Sequence, residues 1–294
     1  MPTLSTVAII GGTHGNELTG VHLLDHWASS QDEIKRTSFN TECHLANPKA
    51  RQAVRRYIDQ DLNRQFGLAT LNDHCLEGYE HNRAKALNTL LGPKENPRID
   101  FVLDMHTTTA NMGTTLVFNT DDPFVARMAF YIKQQMPEAI LFSQPTDRLE
   151  DNFLTSIARF NGLLVEVGPI AQGLLNHHVY EQTRLTVLHA LDYIEKSNLG
   201  EALDLPKTME GYQFIKKVAL PSNEQGDITA MVHPERQHKD YEPINSGDPL
   251  FITLDGKTIS YTGNETVYGA FINEAAYYDQ KIGLSLMKKI DIKA

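Results

Sequence analysis

The apolar residues of the chain fall into two textures. Up to about residue 205, short continuous apolar runs alternate with stretches whose apolar residues recur three and four apart. Val7-Ala8-Ile9-Ile10, stopped by Gly11-Gly12, reads as a buried strand. Leu18, Val21, Leu24 and Ala28 then follow at helical spacing, which predicts a helix from about Asn16 with Glu17 in its first turn. Phe101-Val102-Leu103 reads as a second buried strand, and Leu163-Leu164-Val165, ended by Gly168-Pro169, as a third. Helical stretches are predicted over 124–136 and 182–196. Strands alternating with helices imply an α/β fold, a mostly parallel sheet with helices on both faces. After residue 205 the texture changes. Pro206, Pro221, Pro234, Pro243 and Pro249 punctuate short strand-like runs, and residues 250–254, Asp255-Gly256 and 257–261 predict a hairpin. The expected organisation is a larger domain over 1–205 and a smaller β-rich domain over 206–294.

Composition narrows the function classes. The 294 residues are 41% hydrophobic and 22% charged, with a formal net charge of -10. That is ordinary globular composition. No Lys/Arg stripe accompanies the acidic balance, so a nucleic-acid partner is not expected. Two cysteines, Cys43 and Cys75, do not make a disulfide framework and fit a reducing compartment. No apolar run approaches the ~20 residues of a membrane span. Residues 1–6 carry no basic n-region and Val7–Ile10 is too short for a signal-peptide core, so a secretory leader is not expected. The expected location is the cytoplasm.

The chemistry-bearing residues share one address, the carboxyl ends of the expected strands. His14 and Glu17 follow the first, His106 follows the second, and Glu166 ends the third. In open parallel sheets, sites form in the crevice beyond those ends. Two imidazoles and a carboxylate are the ligand set of a catalytic zinc site, one ion with a fourth position left for water. Gly11, Gly12 and Gly15 let the chain bend tightly beside His14. Glu166 suits the general base that takes a proton from that water and later protonates a leaving amine. Asp104 is placed to orient a ligand histidine, which of the two being left open by the spacing, and Asp61 is taken as a further carboxylate of this kind. Other readings exist for the same residues. His-x-x-Glu is common without a metal, Glu166 could be a satisfied buried carboxylate, and Gly11 to Gly15 could cradle a phosphate. His22 with His26, the pair His177-His178, and His233 read as ordinary surface histidines.

A second cluster is Arg56-Tyr57-Ile58-Asp59-Gln60-Asp61-Leu62-Asn63-Arg64. Asn63 and Arg64 offer an amide and a planar fork for a carboxylate, and Arg56 could stabilise an oxyanion. Exposed charges after a helix are the competing reading.

Four motifs in order resemble the aspartoacylase family: Gly-Gly-Thr-His-Gly-Asn-Glu-Leu-Thr-Gly (11–20), Tyr-Ile-Asp-x-Asp-Leu-Asn-Arg (57–64), Asp-Met-His-x-Thr-Thr-x-Asn-Met-Gly (104–113) and Val-Glu-Val-Gly-Pro (165–169). Ser246-Gly247-Asp248-Pro249, Leu254 to Ile259 and Asn273-Glu274-Ala275-Ala276-Tyr277-Tyr278 resemble its C-terminal domain. The resemblance spans about residues 6–281. It implies a zinc-carboxypeptidase-like fold, one Zn2+ per subunit, dimers or larger assemblies, and hydrolysis of N-acetyl-L-aspartate to aspartate and acetate. The C-terminal domain is expected to cover the entrance, which favours small anionic N-acyl amino acids. By position it makes His14, Glu17 and His106 the zinc ligands and Glu166 the base. It sets Arg56 at the scissile carbonyl and Asn63, Arg64, Tyr277 and Lys281 on the substrate's carboxylates. The family's substrate arginine, about ten residues before the glutamate, falls on Thr155, and Arg159 matches a neighbouring family lysine. A sister branch that deacylates N-acyl aromatic amino acids does without that arginine and supplies the alternative substrate. A metal-binding protein without catalysis is the rival from another class.

Overall fold

The computed structural model describes residues 2–119, 121–144 and 151–293. Its strands are β1 (Thr6–Gly11), β2 (Asn40–Leu45), β3 (Phe101–Thr107), β4 (Gly113–Phe118), β5 (Ile140–Ser143), β6 (Gly162–Gly168), β7 (Thr208–Ala219), β8 (Ala230–Val232), β9 (Pro243–Ile244), β10 (Pro249–Thr253), β11 (Thr258–Ser260), β12 (Val267–Ala270) and β13 (Ile282–Lys293). Its α-helices are α1 (Leu18–Ser29), α2 (Pro48–Ala53), α3 (Leu68–Asn72), α4 (Tyr79–Leu91), α5 (Pro123–Gln135) and α6 (His177–Asn198).

A ten-stranded sheet in the order β2-β1-β3-β6-β4-β5-β7-β13-β12-β9 runs through the molecule. β2, β1, β3 and β6 are mutually parallel, β4 is antiparallel to β6, and β5 is parallel to β4 and β7. The expected parallel α/β half is thus present, with one antiparallel insertion that the motif 104–113 conceals. The C-terminal residues are β-rich, yet they are not set apart as their own sheet. β7, β13, β12 and β9 extend the large one, and only β8, β10 and β11 form a separate three-stranded sheet. β10 and β11 make the expected hairpin, with Gly256 at φ 86°.

Alternation along the strands sorts side chains into layers. One face carries Val7, Ile9, Phe101, Leu103, Leu163, Val165, Leu116 and Leu141, buried with Trp27 of α1, Phe130 of α5 and Tyr193 of α6. On the other face, Ala8, Ile10 and Val102 pack with Ala84, Leu87 and Leu91 of α4. Further along it, Leu164, Val117 and Phe142 pack with Phe271 and Met287 from the C-terminal segment. Caps define the helix starts: Asp122 accepts from Phe124 and Val125 N–H ahead of Pro123, and Asn176 accepts from Val179 N–H.

Candidate active site

β1 and β3 end side by side, with Ile10 opposite Asp104 and Gly11 opposite Met105, so the segments after them meet. Gly15 makes the local approach possible. A Cβ there would lie 2.0 Å from the carbonyl carbon of Ala50, and Gly15 N–H donates to Arg56 O at 3.1 Å. α2 is therefore packed against Gly15, beside His14, and the chain after it is tied there through Arg56. α4 supplies the other anchor. Its fully buried Glu80 accepts from the backbone N–H groups of Ile58, Asp59 and Gln60 and from Asn47 Nδ2.

His14, Glu17 and His106 are all buried and offer ligand atoms within 4.8 Å of one another, the one such His/Cys/Asp/Glu group among the described residues. His14 Nδ1 lies 2.6 Å from Glu17 Oε1 and His106 Nδ1 3.0 Å from Glu17 Oε2, with the two Nδ1 atoms 3.1 Å apart. The opposite nitrogens have separate partners. His14 Nε2 is 3.0 Å from Asp61 Oδ1, and His106 Nε2 is 2.9 Å from Asp104 Oδ2. Thr13 Oγ1 donates to the other oxygen of Asp104 at 2.7 Å. With each Nε2 held by its own carboxylate, both Nδ1 atoms face Glu17 and one common point. Burial opposes a charge on His106, but Asp104 and Glu17 hold its pKa well above the usual range, so an ion bound there would displace a ring proton. The histidine oriented by Asp104 is thus His106, and Asp61 serves His14. Two imidazole nitrogens and one carboxylate, converging under cover, are the donors zinc takes.

Arg56 ties this group together, with Nη1 3.3 Å from Glu17 Oε1 and Nη2 3.0 Å from Asp61 Oδ2. Burial opposes ionisation of Glu17 and Asp61, but His14 with His106 for the first, and His14 with Arg56 for the second, hold both carboxyls far below the usual range. Glu166 lies opposite His106 in the β3–β6 register, so their side chains share a face. Burial pushes Glu166 up to about 8, with His106 pulling the other way.

His14, Glu17, Arg56, His106 and Glu166 line a cavity of ≈ 330 Å3. Its polar part includes His14, Glu17, Arg56, Asn63, Arg64 and Tyr277. Its apolar part comes from the sheet and the C-terminal segment, as Val117, Phe142, Leu164, Phe214 and Phe271. Asn63 Oδ1 accepts from Leu154 N–H at 2.8 Å, and Arg64 stacks its guanidinium 4.7 Å from the Phe153 ring centroid. Both belong to the segment 61–64, where Asp61 caps the short turn Leu62–Arg64. Burial drives Tyr277 up to about 12, so its hydroxyl is a donor near neutral pH.

The chain matches the succinylglutamate desuccinylase/aspartoacylase catalytic domain over residues 3–194 and the AstE/AspA barrel-sandwich hybrid domain over residues 207–289. It is 41% identical to a probable aspartoacylase of Trichodesmium erythraeum over 293 residues, all of both chains. The chain belongs to the succinylglutamate desuccinylase/aspartoacylase family. Human N-acyl-aromatic-L-amino acid amidohydrolase (carboxylate-forming) is 40% identical, covering 97% of this chain and 91% of that one. The crystal structure of murine aminoacylase 3 superimposes with a TM-score of 0.93 at 37% identity, over 100% of this chain and 98% of that one. The protein is a hydrolase of this family.

Within that frame some expectations move. Lys281 does not line the cavity. It caps the turn Ala275–Gln280 in a left-handed conformation (φ 53°), and its ammonium donates to Gly226 O. The lysine that lines the cavity is Lys217 on β7, 5.0 Å from the Tyr277 ring centroid. Thr155 lies outside the cavity lining, and Arg159 pairs with Asp100 at 3.2 Å. His26 bonds Glu33. Glu80, Lys94 and Lys217 escaped the sequence reading, and Glu274 entered it only within the motif 273–278, without a role. Of the first three, Glu80 alone left a trace in the pattern, because it continues the stripe 84, 87, 91 of α4 as a charged residue on an apolar face.

Proposed function

We propose that this hydrolase is a zinc-dependent deacylase of small N-acyl-L-amino acids, with N-acetyl-L-aspartate as its substrate. The observation that carries the reading is the pair of imidazoles whose Nδ1 atoms converge on Glu17 while Asp61 and Asp104 hold their Nε2 atoms. Zinc held by His14, Glu17 and His106 would lower the pKa of a water to about 7 and polarise the acyl carbonyl. Glu166 takes the proton of the attacking water. Burial alone would keep this carboxyl largely protonated near neutral pH, and the charge of a bound zinc beside it would favour the ionised form that takes the proton and returns it to the departing amine nitrogen. Arg56, kept charged by Asp61 and Glu17, faces the oxyanion that develops on the acyl oxygen. Asn63 and Arg64 hold the α-carboxylate, and the Tyr277 hydroxyl donates to it. The proposed setting is the cytoplasm, where Cys43 and Cys75, both free, would stay reduced. Among the described residues no helix is long and apolar enough to cross a membrane.

The test is amine release from N-acetyl-L-aspartate by the zinc-loaded protein. Glu166→Ala is expected to keep its zinc and lose kcat by about two decades or more. Full activity in that variant would refute the assignment. A second substrate has its own support. Phe142, Phe214 and Phe271 give the cavity an aromatic wall, which suits N-acyl aromatic amino acids. N-acetyl-L-aspartate and N-acetyl-L-tyrosine mixed at equal concentration give the ratio of kcat/KM directly. An excess of tyrosine would keep the chemistry and replace the named substrate.

A further inference from the structure

Lys94 is only 2% exposed and lies outside the catalytic cavity, just beyond α4. Its ammonium donates to Phe66 O at 2.9 Å, Asp151 O at 2.5 Å and Ser156 Oγ at 2.7 Å. Those acceptors come from two separate stretches of chain, 61–66 and 151–156, which also meet through Phe66 N–H to Asn152 O at 3.1 Å. Ser156 passes the restraint on, since its hydroxyl also lies within 3.0 Å of Asp151 O and 2.6 Å of Phe153 O. Burying an ammonium is costly, and a position that needed only an apolar filler would not carry one. Here the charge-assisted bonds fix backbone carbonyls in two strips of irregular chain that no sheet ladder orders.

What those strips hold is the carboxylate end of the cavity. Stretch 151–156 supplies Leu154 N–H, which fixes the Asn63 amide, and the Phe153 ring, on which the Arg64 guanidinium lies. Stretch 61–66 carries Asn63 and Arg64 themselves. We propose that Lys94 is a positioning residue. It clamps 61–66 to 151–156 and thereby sets the orientation in which Asn63 and Arg64 receive the substrate's α-carboxylate. This rests on the role given to Asn63 and Arg64 above.

The experiment compares two substrates. The faster of N-acetyl-L-aspartate and N-acetyl-L-tyrosine is assayed beside its α-carboxamide, which lacks the charge that Asn63 and Arg64 would hold. The readout is the ratio of kcat/KM for acid over amide. Lys94→Met, close in size but without donors, is expected to lower that ratio at least about tenfold, mainly through KM for the acid. Ser156→Ala removes one acceptor and should lower it about threefold, in a milder variant that keeps the test open if Lys94→Met folds poorly. In an Arg64→Met background the Lys94 substitution should change the ratio little further, because the clamp acts through that pair. Loss of folded protein alone would scale both substrates equally and leave the ratio untouched. An unchanged ratio in Lys94→Met, or in Ser156→Ala should the first not fold, overturns the proposal. A wild-type protein indifferent to the α-carboxylate overturns the assignment of Asn63 and Arg64, and the clamp with it.

Discussion

Glu274 Oε2 accepts both the backbone N–H of Thr109, at 2.8 Å, and its hydroxyl, at 2.9 Å. The same oxygen receives Ala110 N–H at 3.1 Å and the Thr108 hydroxyl, while Oε1 takes Ala276 N–H. One buried carboxylate from the C-terminal segment thus holds the loop that follows His106 and caps the turn that carries Tyr277. The two walls of the cavity are registered through it. Glu274→Ala strands several of these donors under cover, where each unsatisfied group costs about 1–3 kcal/mol. A loss of about 3 kcal/mol or more is expected from the urea midpoint at unchanged m value. kcat/KM should fall further than the folded fraction does, because Tyr277 loses its anchor. Equal falls in both would mean the carboxylate stabilises without positioning.

Asp104 offers a sharper test of the histidine geometry. Its two oxygens have different work, one on Thr13 Oγ1 and one on His106 Nε2. An asparagine there can turn its NH2 toward His106, which then keeps its proton on Nδ1 and loses the lone pair a metal needs. Asp104→Asn should weaken zinc binding about 10–100-fold with little change in thermal stability of the metal-free protein. Competition with a chromogenic chelator measures it. Affinity equal to wild type would show that Asp104 does not set the tautomer.

The parts legible in the sequence were those whose signal is local. The apolar runs 7–10, 101–103 and 163–165 fall within β1, β3 and β6, and the residues at their ends converge as parallel strands require. What stayed hidden depends on distant partners. β4 is antiparallel, yet its composition differs little from that of a parallel neighbour, so pairing direction cannot be read from it. Glu274 and Lys94 are ordinary charged residues until the chain folds acceptors or donors around them from residues 108–110 and 151–156. Lys217 and Lys281 differ in the same way. Their sequence contexts do not say which ammonium faces the cavity, because that is decided by how β7 pairs with β13.

Asp240 supplies a pH prediction away from the metal ligands. Its carboxylate accepts Ile272 N–H at 3.0 Å and Asn111 N–H at 3.1 Å, joining the C-terminal segment to the loop after β3. Burial raises its pKa from 3.8 to about 6, against the pull of those N–H groups and with Glu274 adding repulsion. A raised acid binds its proton more tightly in the folded state. Its contribution is therefore complete below about pH 4 and is lost as pH rises through about 6, to a limit of about 3 kcal/mol. Relative to Asp240→Asn, the wild type should lose stability between pH 4.5 and 7.5 in urea unfolding. A difference that stays flat across that window would contradict the assignment.

The last prediction separates the two lysines. Lys217 lines the cavity, and partial burial together with the nearby Arg64 charge lowers its pKa, so it stands among cations that an incoming anion would relieve. Lys281 spends its ammonium on Gly226 O. If the substrate side chain is a carboxylate, Lys217→Met should raise KM for N-acetyl-L-aspartate about tenfold with kcat within about twofold, a loss that shrinks as salt is added. Turnover of N-acetyl-L-tyrosine should change less than about threefold, since its ring has no charge for an ammonium to meet. Lys281→Met should leave KM for both substrates within about twofold. Steady-state kinetics on the two variants decide the matter. A KM effect confined to Lys281 would return the side-chain carboxylate to that residue, and equal effects of Lys217→Met on both substrates would make it a wall of the cavity rather than a reader of charge.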